Sequence, residues 1–190
     1  MIKLIAFDLG WCLLRENDVI MNHQEEILEK EFWNINSDEE YFSWACNTLS
    51  LSELEIISII WKFLPSLYSL REEWIFKNIS EKYPDISFGI ATNHISLVKE
   101  GLETLWILDR CKIVLISWAC WFEKPSRDFY NLLVEKSWFK SDEILFIDDS
   151  EINIKWAKQS GLRTLHYVRW TNLTENVLNY LNIVNKGVNI

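Results

Sequence analysis

Glycine is scarce in this chain, with 5 residues among 190. Average usage of about 7% would give roughly 13 glycines in a chain of this length. Glycine adopts positive φ angles without steric cost, so a chain with many turns is expected to contain more of it. Tryptophan is biased in the opposite direction, with 11 residues. The shortage of glycine therefore coincides with a surplus of tryptophan.

Clusters of basic residues are also missing. The formal net charge is -9, from 28 acidic residues against 19 lysines and arginines. A nucleic acid or an anionic membrane surface requires clustered Lys and Arg, so neither is an expected partner. The longest apolar patch, residues 56–64, contains Lys62 and is too short to cross a bilayer.

Paired cysteines of the metal-binding or redox type are missing as well. Neither a C-x-x-C pair nor a zinc spacing occurs, which indicates reduced thiols in a packed core. The four cysteines are Cys12, Cys46, Cys111 and Cys120. The first residues lack the pattern of a secretion signal, because their apolar run is broken at Asp8. A cytoplasmic protein is therefore expected.

The segment that organises the chain is residues 2–14, with the sequence IKLIAFDLGWCLL. Its apolar run is too short for a typical helix and ends at Asp8, which predicts a strand that is buried on both faces. Ligands of open α/β sheets bind outside the carboxyl ends of the strands, where Asp8 would lie. Taken alone, an Asp at this position fits a turn or a helix cap equally well.

Strands and helices alternate in the second half of the chain. Apolar, β-branched runs predict strands at residues 86–92, 112–117, 144–148 and 162–167. Helical segments follow each of them, and one is expected to open at Pro125, because proline is favoured at a first helical position. This alternation predicts an α/β fold with a doubly wound parallel sheet.

Residues 16–77 have a different character, since acidic residues alternate there with apolar residues at helical spacing. Ser37 with Glu40 and Ser52 with Glu55 match the capping-box pattern of helix starts. No strand pattern occurs in this stretch. It is therefore expected to form several helices inserted between the first and second strands.

Polar residues follow the predicted strands. Right-handed βαβ connections bring the carboxyl ends of parallel strands to one edge of the sheet, so these residues are expected to converge. They are Asp8, Thr92, Asn93, Lys124, Asp148 and Asp149.

The three carboxylates in this set, Asp8, Asp148 and Asp149, supply the hard oxygen ligands that Mg²⁺ prefers. The hydroxyl of Thr92 and the backbone N–H of Asn93 can hold a phosphate oxygen. Such a set predicts phosphoryl transfer to an aspartate nucleophile, in which the Lys124 ammonium neutralises charge on the carboxylates and the phosphoryl group.

Four segments of the chain, in this order, resemble the four motifs of the haloacid dehalogenase-like (HAD) hydrolases. These are FDLG at residues 7–10, Thr92, the Lys124-Pro125 pair, and IDDSEIN at residues 147–153 with its DD-x-x-x-N spacing. The resemblance implies a Rossmann-like core formed by residues 1–15 and 79–190. Residues 16–78 resemble the helical cap domain that members of this family insert after the first motif.

The resemblance also implies roles for the site residues. Asp8 would attack the phosphorus of a small phosphorylated metabolite, such as a sugar phosphate or a nucleotide, and form an aspartyl-phosphate. Mg²⁺ would be bound by Asp8, by the backbone carbonyl of Gly10 and by Asp148, while Asp149 would support the metal through its waters. The cap would close over the site and exclude water.

Gly10 departs from the usual pattern of the family's phosphatases. They carry a second Asp two residues after the nucleophile as general acid/base, a function typically worth about 10²–10⁴-fold in rate. Gly10 cannot transfer a proton. Some family members with a similar DLG form are still described as phosphatases, while the dehalogenases of the family also lack the second Asp. A dehalogenase-type hydrolase and a catalytically weak phosphate-binding protein are therefore the alternative interpretations.

Several tryptophans occupy positions where the backbone is expected to need glycine. Gly161 and Trp138 both follow a predicted helix, at the position that typically adopts a left-handed conformation. Trp11 falls in the loop after the nucleophile, Trp106 follows a helical stretch, and Trp121 precedes Lys124. One hypothesis is that many of the eleven tryptophans are UGA codons that the source organism reads as glycine; the alternative is a tryptophan-rich core.

Overall fold

The computed structural model describes residues 1–32, 34–35 and 37–185. Trp33, one of the eleven tryptophans, lies outside the described residues. The strands are β1 (Leu4–Phe7), β2 (Leu14–Glu16), β3 (Tyr68–Leu70), β4 (Ser87–Thr92), β5 (Cys111–Ile116), β6 (Ile144–Asp148) and β7 (Arg163–His166). The helices are α1 (His23–Lys30), α2 (Asp38–Leu49), α3 (Glu53–Leu67), α4 (Ile75–Lys82), α5 (Val98–Thr104), α6 (Ser117–Cys120), α7 (Arg127–Ser137), α8 (Glu151–Gln159) and α9 (Leu173–Asn185).

Five of the strands form one parallel sheet in the order β5-β4-β1-β6-β7. The chain therefore starts in the middle of the sheet, extends it on one side through β4 and β5, and then returns to extend it on the other side. Phe7, the last residue of β1, pairs with Ile90 on one side and Ile147 on the other. This topology confirms the predicted doubly wound α/β fold.

Both faces of the sheet are covered by helices. Ile5 and Phe7 belong to an apolar cluster that includes residues of α4, α5 and α9. Leu4 and Ala6 belong to a second cluster with residues of α7 and α8. Because side chains alternate between the faces of a strand, the run of apolar residues in β1 is buried on both faces, as its composition predicted.

Three helices, α1, α2 and α3, lie between β2 and β3, which pair antiparallel as a two-stranded ribbon. The sequence did not predict these strands, because three residues are too few for an alternating pattern. The Ser52 and Glu55 capping box is present, whereas Ser37 only accepts a hydrogen bond from the Glu40 backbone. The division of the chain into a core and a cap stays a prediction.

Helix α4 was not predicted, and the predicted boundary between residues 78 and 79 falls inside it. Phe76 of this helix packs edge-on against Phe7 and Phe88 of the sheet, with ring centroids 6.0 and 5.0 Å apart. Phe76 and Ile79 are both buried. A boundary before Ile75 would therefore keep the helix with the sheet that it covers.

Helix α7 begins two residues later than the sequence predicted. Pro125 lies before the helix rather than at its first position, and Ser126 caps the helix by accepting a hydrogen bond from the Phe129 backbone at 3.3 Å. A serine cap satisfies a helix-terminal N–H that a proline cannot satisfy. The four cysteines are free thiols; Cys12 is buried, whereas Cys46, Cys111 and Cys120 are half-buried rather than in the core. Within the described ranges, helices that combine the length and the apolar character needed to cross a membrane are absent.

Candidate active site

Asp8 follows the last residue of β1 at the carboxyl edge of the sheet. Its backbone N–H donates to the carbonyl of Ile147 at 2.8 Å, so the sheet fixes the position of its Cα atom. The chain then turns through the loop Leu9–Leu13. Arg71 braces this loop, because its guanidinium donates hydrogen bonds to the carbonyls of Trp11 and Cys12 at 3.1 and 3.0 Å.

Lys124 bridges two of the predicted carboxylates. Its Nζ atom lies 2.6 Å from Oδ1 of Asp8 and 2.7 Å from Oδ2 of Asp148, and all three side chains are buried. Burial alone would lower the pKa of Lys124, but Asp8 and Asp148 outweigh that effect and the pKa is raised, so the ammonium stays charged. Burial raises the pKa of Asp8, the Lys124 ammonium opposes this shift, and Asp148 adds to it.

Asp148 ends β6, Asp149 follows it, and the two have different partners. Both carboxylate oxygens of Asp148 accept hydrogen bonds from Nδ2 of Asn153, at 3.1 and 3.0 Å. The Asp149 carboxylate pairs with Arg169 at 2.7 Å, so one of its oxygens already has a cationic partner. These bonds fix the orientation of both carboxylates before any ligand binds.

The carboxylates of Asp8, Asp148 and Asp149 are close enough to share one cation. Each offers an oxygen, and the three oxygens lie within 4.8 Å of one another. Hard oxygen donors at this spacing fit Mg²⁺, which binds through few carboxylates and keeps several waters. Gly10, whose carbonyl is the further ligand that the resemblance implies, lines the same space.

Thr92 and Asn93 lie at the end of β4, next to the carboxylate cluster. Asn93 uses its side-chain amide to hold Lys124: its Nδ2 donates to the Lys124 carbonyl at 2.7 Å, and its Oδ1 accepts from the Lys124 N–H at 2.8 Å. The sequence prediction of phosphate binding therefore depends on the hydroxyl of Thr92 and on the backbone N–H of Asn93. Helix α5 begins at Val98, so these two residues precede the helix by a short turn.

A cavity of about 500 Å³ opens above these residues. The structure brings together in its lining every site residue that the sequence predicted, which are Asp8, Gly10, Thr92, Asn93, Lys124, Asp148 and Asp149. Five further residues line it: Trp11, Glu16, Glu29, Lys30 and Asn153. Asn153 is the last residue of the DD-x-x-x-N pattern and could have been predicted. Glu16, Glu29 and Lys30 reach the cavity through tertiary structure alone, and no sequence signal marks them.

His94 follows Asn93 but is not among the residues that line the cavity. It is buried beside the rings of Phe32 and Tyr68. Burial lowers the pKa of His94 to about 4, so its ring is neutral at physiological pH. Its position makes it part of the packing beneath α1 and β3.

Comparisons with known proteins place this chain in a family. The model of the haloacid dehalogenase-like hydrolases matches residues 73–167, which is half of the chain. A search of curated proteins finds no significant match.

Solved structures with the same fold cover nearly the whole chain. A HAD family enzyme from Bacteroides thetaiotaomicron, crystallised with magnesium and inorganic phosphate, is 17% identical, with a TM-score of 0.67 over 92% of this chain and 98% of that one. A predicted HAD-like family hydrolase from Porphyromonas gingivalis is 20% identical, with a TM-score of 0.66 over 95% and 98% of the two chains. A predicted phosphoglycolate phosphatase from Haemophilus somnus is 16% identical, with a TM-score of 0.62 over 96% and 98%.

The match to the family model agrees with two features of the structure. These are the parallel sheet with Asp8 at the end of its central strand, and the cluster of Asp8, Lys124 and Asp148. The chain belongs to the haloacid dehalogenase-like hydrolases.

Proposed function

We propose that this hydrolase is a Mg²⁺-dependent phosphatase of a small phosphorylated metabolite, such as a sugar phosphate or a nucleotide, acting through an aspartyl-phosphate on Asp8. The observation that carries the proposal is the buried cluster in which the Lys124 ammonium contacts both Asp8 and Asp148 on the floor of the cavity. A nucleophilic carboxylate next to a fixed cation suits attack on a negatively charged phosphoryl group.

Asp8, Asp148, Asp149 and the carbonyl of Gly10 would hold the Mg²⁺, which supplies charge neutralisation for the phosphate oxygens when it is bound. The spacing of the three carboxylates supports this assignment. A bacterial structure with the same fold was crystallised with magnesium and inorganic phosphate, which is the pair of ligands that the proposal requires.

In the proposed reaction, Oδ of Asp8 attacks the phosphorus while the bond from phosphorus to the ester oxygen breaks. Thr92 and the backbone of Asn93 orient the phosphoryl group, and Lys124 stabilises the charge on its oxygens. Water then hydrolyses the aspartyl-phosphate and regenerates the carboxylate. Residues 16–78, proposed to act as a cap, contribute Glu16, Glu29 and Lys30 to the lining of the cavity. There they would contact the group that carries the phosphate.

The test is phosphate release from a panel of sugar phosphates, nucleotides and 4-nitrophenyl phosphate, with Mg²⁺ or with EDTA. We expect turnover with Mg²⁺ and its loss in EDTA, because without the cation the developing charge on the phosphoryl group is left to Lys124 alone. Halide release from 2-haloacids in EDTA would instead support the dehalogenase alternative. Stabilisation by inorganic phosphate without any turnover would support the weak phosphate-binding alternative, which Gly10 motivates.

A further inference from the structure

The proposed phosphatase has no proton donor at Gly10, so another group must protonate the leaving oxygen of a substrate with a poor leaving group. The candidate must line the same cavity as Asp8, be able to hold a proton near neutral pH, and lie on the side of the cavity that faces the leaving group. Among the described residues that line the cavity, two carboxylates lie outside the cluster of Asp8, Asp148 and Asp149. These are Glu16 and Glu29.

Glu29 lies on α1, and this helix is held firmly in place. Leu28, its neighbour, is fully buried, and the Leu28 carbonyl accepts a hydrogen bond from the hydroxyl of Tyr41 at 3.0 Å. Phe32, one turn further along the chain, stacks on Phe63 of α3 with a centroid distance of 6.1 Å. The backbone that carries Glu29 is therefore fixed over the cavity.

The two carboxylates have different environments. Glu16 is exposed, whereas Glu29 is half-buried, and among the described residues neither of them forms an ion pair. Burial raises the pKa of Glu29, and the nearby carboxylate of Glu16 raises it further. Both effects favour the protonated form of the Glu29 carboxyl, which is the form that a general acid needs.

We propose that Glu29 is the general acid of this enzyme and does the work of the second aspartate, whose usual position is occupied by Gly10. This inference rests on the proposed phosphatase function. As the bond from phosphorus to the ester oxygen breaks, the Glu29 carboxyl gives its proton to that oxygen, and an alcohol leaves. The Glu29 carboxylate then accepts a proton from the water that attacks the aspartyl-phosphate. Atoms and charge balance over the two steps, and Glu29 ends each cycle protonated.

Other ionisable groups surround Glu29 and would shape its titration. Glu16 of β2 has the largest effect, Lys30 lies next to it on α1, and the hydroxyls of Tyr41 and Tyr68 are on neighbouring elements. Asp8, Lys124, Asp148 and Asp149 line the same cavity. A general acid must be protonated, so the rate with a poor leaving group should fall as the pH rises through the pKa of Glu29.

The test compares Glu29→Gln with Glu16→Gln, because both variants remove one carboxylate from the same cavity. Two substrates are used: an alkyl phosphate, whose alkoxide needs a proton, and 4-nitrophenyl phosphate, whose anion leaves without one. We expect Glu29→Gln to lower kcat/KM for the alkyl phosphate by about 10²-fold, to change the aryl ester little, and to lose the fall in rate at high pH. Glu16→Gln should retain the difference between the two substrates that the unmodified protein shows.

The outcomes separate this inference from the function on which it rests. If the unmodified protein hydrolyses neither ester, the phosphatase proposal fails. If it hydrolyses both and Glu29→Gln lowers both rates equally, the phosphatase proposal stands, and Glu29 has only a structural or binding role. If Glu16→Gln shows the selective loss instead, the general acid is Glu16 and the assignment to Glu29 is overturned.

A second observation, independent of the cavity, concerns the backbone at the tryptophans. Among the described residues, six that are not glycine have a positive φ angle, and five of these are tryptophans. They are Trp11, Trp106, Trp121, Trp138 and Trp170, with φ between 56° and 74°. This left-handed region is costly for a side chain with a Cβ atom, and glycine is the residue that normally occupies it.

One helix end allows a direct comparison. After α8, Gly161 donates to the Lys158 carbonyl at 3.0 Å and Leu162 to the Ala157 carbonyl at 3.2 Å. After α5, Trp106 donates to the Glu103 carbonyl at 2.9 Å and Ile107 to the Leu102 carbonyl at 3.0 Å. Both ends have the bonding pattern in which a left-handed residue, usually glycine, terminates the helix. Trp106 therefore occupies, at the end of α5, the same left-handed position that Gly161 occupies at the end of α8.

The tryptophan rings make few buried contacts that could offset the cost of this backbone conformation. Trp106, Trp121, Trp138 and Trp170 are between 70% and 88% exposed, so a tryptophan-rich core does not explain them. The ring of Trp11 lies under the guanidinium of Arg169, at 4.7 Å, and lines the cavity where substrate would bind. Trp156 lies inside α8 and needs no left-handed backbone, so it is not part of this inference.

From the backbone we infer that these five residues are glycine in the protein that the source organism makes, with UGA codons there translated as glycine. The test is the DNA sequence at the five positions, followed by peptide mass spectrometry of the protein purified from its source. We expect UGA codons and peptides that carry glycine at residues 11, 106, 121, 138 and 170. Codons for tryptophan, or peptides with tryptophan at these residues, would overturn the inference.

Discussion

Asp8→Asn should abolish phosphate release, with a loss on the order of 10⁴-fold or more in kcat, because the amide cannot attack phosphorus to form the acyl phosphate that the proposed mechanism requires. Asparagine has nearly the same shape as aspartate, and Lys124 keeps its second partner, Asp148, at 2.7 Å. The variant is therefore expected to fold, and its thermal unfolding should be measured alongside its activity. Acid-quenched reactions of the unmodified protein should also contain a phosphorylated peptide that includes Asp8.

The control for this prediction is Asp85→Asn, which makes the same chemical change at an exposed residue away from the cavity. It should leave phosphate release unchanged. Equal activity in Asp8→Asn and Asp85→Asn, with both proteins folded, would contradict a role of Asp8 as the nucleophile. Residual activity that persists in every preparation would indicate a contaminating phosphatase, which the acid-quenched peptide distinguishes from the enzyme itself.

The sheet and the carboxylate cluster could be predicted because each depends on short stretches of sequence. A buried parallel strand is a run of apolar residues, and a polar residue where that run stops must lie at the carboxyl edge. The sequence alone therefore predicted that the polar residues after the strands, among them Asp8, Asp148 and Asp149, lie at one edge of the sheet. Their proximity, with three carboxylate oxygens within 4.8 Å, follows from the order of strands β4, β1 and β6.

The other side of the cavity could not be predicted in this way. Glu29 and Lys30 lie on an amphipathic helix, and the sequence does not indicate which of its polar residues face the cavity and which face solvent. Asn93 shows the same limit at shorter range. The sequence predicted phosphate binding by its backbone N–H, which stays a prediction, but gave no sign that its side chain pairs with the backbone of Lys124, which is distant in sequence. Hydrogen bonds between separate loops leave no periodic pattern in the chain.

Replacing the five left-handed tryptophans together by glycine should stabilise the protein by roughly 3–5 kcal/mol. A residue with a Cβ atom in the left-handed conformation destabilises the folded protein by about 1–2 kcal/mol. Glycine removes this cost, but its greater flexibility in the unfolded chain offsets about 0.5–1 kcal/mol of the gain at each position. The lost ring contacts cost little at the four positions where the rings are most exposed. Against a typical total stability of about 5–15 kcal/mol, this is a large change.

The measurement is urea unfolding, in which the midpoint should rise while the slope stays nearly the same, since unfolding exposes a similar area of surface in the variant and in the parent. Trp44→Gly is the matched control, because Trp44 lies inside α2 and packs on Tyr41 with ring centroids 5.8 Å apart. Glycine there removes packing and weakens the helix, so that variant should be less stable than the parent. The opposite signs expected at Trp44 and at the five positions separate a backbone effect from a general effect of removing tryptophan.

A variant that keeps Trp11 but carries glycine at the other four positions separates stability from access to the site. It should gain most of the stability, since each position contributes independently when residues are far apart. The fifth exchange, at residue 11, should then raise turnover of the larger substrates, because it removes a ring from the lining of the cavity. If the protein with all five glycines were no more stable than the parent, the strain inferred from the positive φ angles would be absent, and the case for glycine at these residues would rest on the codons alone.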